Sequence, residues 1–184
     1  MARLNVNPTR MELKKLKARL ATAVRGHKLL KDKSDEMIRR FTVILREAKQ
    51  QRESVESELS EVLRQFSVAR SVTSSYEAET AFSMPTVAIT AECGLESIMG
   101  IDVPKVQLIS EKRKEGLPYA FPEITSEADY SVQKASELLP KMVALAQTEK
   151  AVRVLAEEIE RNKRRVNALE CVMIPQLQET IKYI

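Results

Sequence analysis

Apolar residues recur at alternating steps of three and four along the first part of the chain. The series consists of Leu13, Leu16, Leu20, Ala23, His27, Leu30, Ser34, Met37, Phe41, Ile44 and Ala48. It continues more weakly through Gln51, Val55, Glu58, Val62, Ala69 and Val72. A 3.5-residue repeat keeps one stripe facing a partner helix in a left-handed coiled coil. It predicts one continuous helix over residues 9–76, on the order of 100 Å long at 1.5 Å per residue. Thr9 and Glu12 have the spacing of a capping box at its start.

A second apolar series occupies the last third of the chain. Leu138, Leu145, Val152, Ile159, Val166 and Met173 are each seven residues apart, and Leu155 and Leu169 fill two of the intervening positions. This heptad series predicts a second long helix that begins near Ser126 and continues to Ile184. Pro140 and Pro175 lack a backbone donor, so we expect a kink at each of them.

Residues 80–125 differ from both helices, because prolines and glycines are concentrated there. Residues 86–93 and 103–109 are rich in β-branched residues between turn formers, which predicts two short strands in an antiparallel hairpin. We therefore divide the chain into a first helix (1–79), an insert (80–125) and a second helix (126–184). The predicted fold is mainly α, with an antiparallel left-handed coiled coil joined by the insert. If the chain turns near residue 102, Val166 lies opposite about residue 38.

Amino-acid composition and charge limit the kinds of molecule that this chain is expected to bind. Trp is absent, aromatics make up 4% and charged residues 30% of the chain, which suits long helices better than a compact globule. The first 33 residues carry ten Lys and Arg but only Glu12 and Asp32 as acids. Such a basic end is expected to bind a nucleic acid, a membrane or an acidic protein cavity.

The motifs of common enzyme sites are missing from the sequence. It contains no phosphate-binding G-x-x-x-x-G-K-[ST] and no G-x-G-x-x-G. Adjacent Glu157 and Glu158 point about 100° apart on a helix, and His27 falls on the apolar stripe. Cys93, Cys171 and a single His do not make a metal cluster. We therefore predict no catalytic, cofactor-binding or metal residues. With no signal sequence and no bilayer-spanning run, the chain is expected to be soluble and cytoplasmic.

A basic cluster in the second helix has two interpretations. Arg161, Lys163, Arg164 and Arg165 are either a solvated face paired with Glu157 and Glu160, or a surface that contacts a partner. Asn162, between them, takes a position on the apolar stripe, where a buried polar side chain fixes the register of a coiled coil.

Both ends of the sequence resemble one known family. "NPTRMELKKLKARLATAVRGHKLLKDKSDEM" near the start and "RRVNALECVMIPQLQETIKYI" at the end resemble the paired signatures of the D subunit of the V-type/A-type rotary ATPases, in particular the archaeal and bacterial kind. The resemblance covers nearly all of both helices. Residues 80–125 resemble the family in their general character but do not match it residue by residue. Family members usually continue beyond the segment that matches "IKYI", so we expect the tip of the second helix to be missing here.

The resemblance implies a central-stalk rotor shaft that does no chemistry, binds no nucleotide and no nucleic acid, and is peripheral to the membrane. Its terminal end would insert into the ring of catalytic A and B subunits. Its other end would lie beside the small F subunit and the connector to the ion-translocating membrane rotor. By the same resemblance the candidate ring contacts are Arg10, Lys14, Arg161, Lys163, Arg164 and Arg165.

Two other functions fit parts of the pattern. A prefoldin-like chaperone also has two long helices joined by β-structure, but its tips should expose apolar residues for client binding. A nucleic-acid-binding arm would explain the basic end and predicts steeply salt-dependent binding to RNA or DNA.

Overall fold

The computed structural model describes residues 4–83, 88–111 and 126–184. The predicted fold class is confirmed, since two long helices and a small antiparallel hairpin make up these residues. The chain divides into a terminal unit, Met1–Val43 with Arg153–Ile184, and a central unit, Ile44–Val152. The elements are α1 (Arg10–Val72), α2 (Ser75–Phe82), β1 (Ala88–Ile98), β2 (Ile101–Glu111), α3 (Ser126–Ala168), a π-helix (Leu169–Met173) and α4 (Ile174–Tyr183).

The first helix is capped as predicted at its start but ends earlier than predicted. The Glu12 backbone N–H donates to Thr9 Oγ1 at 3.2 Å, which satisfies one of the free donors of the first turn. The reciprocal half of the capping box is replaced, because the Thr9 N–H donates to the Asn7 carbonyl at 2.9 Å and Glu12 pairs with Lys15. α1 ends at Val72, and the separate helix α2 follows where the sequence predicted continuation to residue 76.

In the central unit α1 and α3 pack antiparallel. Lys141 Nζ donates to both carboxylate oxygens of Glu58 at 2.7 Å, and Arg52 lies 3.4 Å from Glu149. The hydrogen bond from Lys141 lowers the pKa of the exposed Glu58. Between the helices the buried side chains are mostly small, which allows close approach of the backbones: Ala48, Val55 and Ala69 on α1, and Ala128, Leu138 and Ala151 on α3.

The hairpin of β1 and β2 is longer than the sequence indicated. The strands pair in continuous register from Ala88↔Glu111 to Ile98↔Ile101, so Met99 and Gly100 form a two-residue turn. Both have positive φ, 56° and 78°, as a type I′ turn requires. Glycine tolerates this conformation, whereas methionine adopts it at a steric cost.

Replacing Met99 by Asn is expected to stabilise the hairpin by about 0.5–1 kcal/mol, because Asn adopts positive φ more readily than Met. The gain should appear as slower amide hydrogen exchange across β1 and β2. A Met99→Val variant is the matched control and should accelerate exchange. If Asn and Val had the same effect, backbone strain at residue 99 would not limit the hairpin.

The hairpin contacts the second long helix inside the central unit. The Val106 N–H donates to Gln147 Oε1 at 3.1 Å, and Val103 is buried nearby on the same strand. Gln147 lies 21 residues beyond the start of α3, so β2 reaches well along that helix rather than stopping at its first turn.

The residues predicted to line the coiled-coil seam differ in burial. Leu16, Met37, Leu138, Ile159 and Val166 are buried, and half-buried positions are Leu20, Leu30, Phe41, Ile44, Leu145, Val152 and Leu169. Met173 departs from the prediction, because its side chain is 43% exposed.

The π-helix accounts for the position of Met173. There the Ile174 N–H donates to the Leu169 carbonyl, five residues back, which places one extra residue in the turn. The half-buried Ile174 therefore takes the inward position predicted for Met173, and Leu177 and Thr180 are buried beyond it. Pro175 explains the wider turn, because it has no N–H and its ring would clash with the carbonyl of residue 171. The helix continues past Pro175 through α4, as predicted, and α3 continues through Pro140.

Candidate functional site

In the terminal unit the register of the two helices is fixed by a buried polar contact. Asn162 of α3 is 2% exposed, and its Nδ2 donates to Met37 Sδ of α1 at 3.3 Å. The predicted register placed Val166 opposite residue 38, whereas the observed contact places Val166 opposite about residue 33, a shift of roughly five residues or 1.4 helical turns. The difference arises because the turn was assumed to lie near residue 102, whereas the end of α1 at Val72 and the start of α3 at Ser126 are centred on residue 99.

Asn162 is inside the seam, as the heptad position predicted. A thioether is a weak hydrogen-bond acceptor, so this contact contributes less free energy than an amide–carbonyl hydrogen bond. Its effect is on specificity, since any slip of one helix along the other would leave the amide buried without a partner.

The ends of the unit are joined by two further contacts. His27 Nε2 lies 3.3 Å from Glu170 of the π-helix, and the Leu4 N–H donates to Thr180 Oγ1 at 3.2 Å. Leu4 precedes the first turn of α1, so residues 4–9 return alongside α4. The sequence showed no signal for this segment, because Leu4 and Val6 are isolated apolar residues among polar ones.

Three of the six candidate contact residues are paired within the chain. Arg161 lies 3.7 Å and Arg165 4.0 Å from Glu158, while Arg164 hydrogen-bonds to Glu160. Of the two ion pairs expected from the sequence, the one between Arg164 and Glu160 is formed. The other is not, because Arg161 pairs with Glu158 rather than with Glu157. All three guanidinium groups stay largely exposed, so these ion pairs are weak and exchangeable.

The other three candidates, Arg10, Lys14 and Lys163, are exposed and make no ion pair with any residue of the described ranges. Arg10 and Lys14 lie in the first turns of α1, where the helix dipole disfavours cations. Lys14 is 23 residues from Met37 and therefore roughly 35 Å along α1 from the level of Asn162. The six candidates accordingly form two groups, one at the start of α1 and one around Asn162, rather than one cluster.

Charge is distributed unevenly between the two units. The terminal unit carries 18 Lys and Arg against nine Asp and Glu in the sequence, whereas the central unit carries 12 against 17. The terminal unit therefore has a formal excess of nine positive charges, and its surface attracts anionic groups.

The structure offers no metal centre and no membrane span in the part of the chain that it describes. No three His, Cys, Asp or Glu side chains of these residues lie together as metal ligands would. Over the same residues, no helix combines the length and the apolar character needed to cross a bilayer.

Comparison with known proteins identifies the family. A family profile described as the ATP synthase D subunit matches residues 12–184. The chain belongs to the ATP synthase D subunit family. Among curated relatives, this family member is 45% identical over 184 residues to the V-type ATP synthase D subunit of Thermoanaerobacter sp. (strain X514), an alignment that covers 100% of this chain and 88% of the relative.

Other relatives from the same family are similar to the same extent. The V-type ATP synthase D subunit of Streptococcus pyogenes serotype M3 (strain ATCC BAA-595 / MGAS315) is 45% identical over 188 residues, with 100% of this chain and 90% of the relative covered. That of Clostridium novyi (strain NT) is 45% identical over 187 residues, with 100% and 87% covered. The family inferred from the two terminal signatures is thereby confirmed.

Proposed function

We propose that this chain is the non-catalytic central-stalk rotor shaft of a V-type ATP synthase. In that role it transmits torque between the ring of A and B subunits, which hydrolyse or make ATP, and the ion-translocating membrane rotor. Family membership and the names of the relatives support the assignment. The observation that carries it further is the terminal unit, an antiparallel helix pair with a packed seam and an exposed, strongly basic surface.

Torque transmission needs a stiff element with a surface that does not lock into one position. Continuous side-chain packing along a helix pair resists shear, because close-packed interiors deform little. Exposed Arg and Lys side chains make salt-screened, readily exchanged contacts, whereas a large apolar face would hold the ring in one orientation.

The proposal assigns the partners by position. The A and B subunits contact the terminal unit through Arg10, Lys14, Arg161, Lys163, Arg164 and Arg165. The F subunit and the connector to the membrane rotor bind the rest of the chain. The chain itself binds no nucleotide, cofactor or nucleic acid, and it associates with the membrane only through the complex in the cytoplasm.

Reconstitution tests the proposal. The chain is mixed with purified A and B subunits of its own complex, and native mass spectrometry and ATPase rates are recorded. We expect one chain per ring and an ATPase rate that depends on its presence. If the ring assembles and turns over identically without the chain, the shaft function is wrong. Binding of the chain alone to RNA or DNA with a steep salt dependence would instead favour the nucleic-acid-binding arm.

A further inference from the structure

The helix α4 is joined to the rest of the second helix by an irregular turn. In the π-helix before it, the Ile174 N–H donates to the Leu169 carbonyl, five residues back. Pro175, at the start of α4, has no N–H to donate. The connection between α3 and α4 therefore has fewer α-helical hydrogen bonds than an unbroken helix has. Contacts across the terminal unit must supply the rest of what keeps α4 in place.

The inward face of α4 contains one apolar and one polar residue. Leu177 and Thr180 are each 1% exposed. Glu170 lies 3.3 Å from His27 of α1, and Thr180 follows Glu170 by ten residues. In an antiparallel pair Thr180 therefore lies at the level of about residue 17 of α1. Since α1 begins only about two turns before that level, little of the first helix remains to cover this face.

A short segment before α1, residues 4–9, lies on this face. Leu4 and Val6 are half-buried. Asn5 and Asn7, which follow them, are exposed. This alternation is typical of an extended segment that lies with one side on the protein and the other in water.

The buried hydroxyl of Thr180 links this segment to α4. The Leu4 N–H donates to Thr180 Oγ1 at 3.2 Å, and the hydroxyl itself donates to the Gln176 carbonyl at 2.7 Å. A buried hydroxyl that both donates and accepts is better compensated for its removal from water than one that only donates. Withdrawal of the segment would remove the Leu4 donor and open Thr180 to water.

The direction of the segment is set by a turn at the start of α1. The Thr9 N–H donates to the Asn7 carbonyl at 2.9 Å, and the ring of the intervening Pro8 fixes one backbone dihedral angle. Thr9 also accepts from the Glu12 N–H, so the turn is anchored on α1. A turn that is fixed in advance reduces the conformational entropy that is lost when the segment closes on α4.

We propose that residues 4–9 form a strap that opens and closes as a unit, and that the closed strap holds α4 against α1. The strap contains no Lys, Arg, Asp or Glu, so its own side chains make no ion pairs that would hold it closed. Short segments with few apolar contacts open at a low free energy and without global unfolding. When the strap opens, α4 loses its cover and detaches while α1 and α3 stay paired. The strap acts within the chain alone, so its test is separate from that of the proposed function.

The first test compares Val6→Asp with Asn5→Asp by amide hydrogen exchange of the full chain, followed by mass spectrometry. Both variants place one carboxylate on the strap, but only residue 6 faces the protein. We expect Val6→Asp to accelerate exchange in α4 roughly tenfold, because a charged side chain at this position favours the open strap. Asn5→Asp, the matched control, should stay within about twofold of the wild type.

A second pair of variants removes one hydroxyl each. Thr180→Val keeps the shape of the side chain but cannot accept from Leu4, whereas Thr22→Val removes an exposed hydroxyl that donates to the Ala18 carbonyl of its own helix. We expect roughly fivefold faster exchange in α4 for Thr180→Val and a change of no more than about twofold for Thr22→Val. In a double variant of Val6→Asp and Thr180→Val the two effects should not multiply, because an open strap has no hydrogen bond left to lose.

Three results would overturn the inference. The first is exchange in α4 at the wild-type rate in both Val6→Asp and Thr180→Val. The second is an equal acceleration in α4 and in the part of α3 around Asn162, which would show loss of the whole helix pair rather than a local opening. The third is a double variant in which the two effects multiply, because Thr180 would then act on α4 without the strap.

Discussion

The Val166→Asp variant is expected to unfold roughly 10 °C below the wild type, as judged by circular dichroism at 222 nm. Val166 is buried in the seam of the terminal unit, one turn beyond Asn162. A carboxylate at this position is removed from water, which disfavours its charged form. The cost is about 3 kcal/mol, and most of it falls on the pairing of α3 with α1.

The control for this variant is Val24→Asp. Val24 is on α1 of the same unit, but its side chain is 46% exposed. The two substitutions lose the same β-branched side chain and gain the same residue of low helix propensity. Val24→Asp should therefore change the free energy of unfolding by no more than about 0.5 kcal/mol. Equal melting temperatures for the two variants would contradict the assignment of Val166 to the seam.

Reversing three charges of the terminal unit should have the largest effect on assembly. In the triple variant Arg10→Glu, Lys14→Glu and Lys163→Glu, we expect affinity for the A and B ring to fall roughly 100-fold at low salt, because each contact changes from attraction to repulsion. These three side chains make no ion pair within the described residues, so the substitutions break no ion pair among those residues. Acidic residues in the first turns of α1 also suit the helix dipole, and folding is preserved.

The matched control reverses three cations of the central unit that also make no ion pair within the described residues, Arg46→Glu, Arg64→Glu and Lys150→Glu. It changes the net charge by the same amount and should leave ring affinity within a few-fold of the wild type. Affinities are measured by biolayer interferometry at two salt concentrations. The difference between the triple variants should shrink at high salt as the Debye length falls. Equal losses in both triples would show that net charge, rather than these three positions, governs ring binding.

Much of the fold followed from the apolar period of the sequence. The heptad series placed Leu138, Ile159 and Val166 on one stripe, and all three are buried. It also placed Asn162 on the seam and Ser126 at the start of the second helix. These features are local consequences of side-chain spacing, so one sequence is enough to predict them.

The features that the sequence did not predict depend on contacts between distant residues or on backbone geometry. The π-helix before Pro175 arises because the helix continues through the proline while Leu177 stays buried, and a heptad count has no place for an extra residue. The turn at Met99 and Gly100 was missed because methionine is an unusual residue at positive φ.

The candidate contact residues could be predicted by type but not by grouping. A basic first helix and a basic cluster after Glu160 were evident in the sequence. Which cations form ion pairs depends on where α1 lies beside α3. It also depends on the choice of carboxylate, since Arg161 and Arg165 both pair with Glu158. That choice depends on rotamers, which spacing alone does not determine.

Rotation of the chain inside the ring is the central claim, and single-molecule observation tests it directly. In a Cys171→Ser variant the exposed Cys93 of β1 becomes the only thiol, and it can carry a bead while the A and B ring is fixed to a surface. The account predicts that the bead turns continuously in one direction when ATP is added. A ring that hydrolyses ATP at its full rate while the bead shows only thermal motion would contradict it.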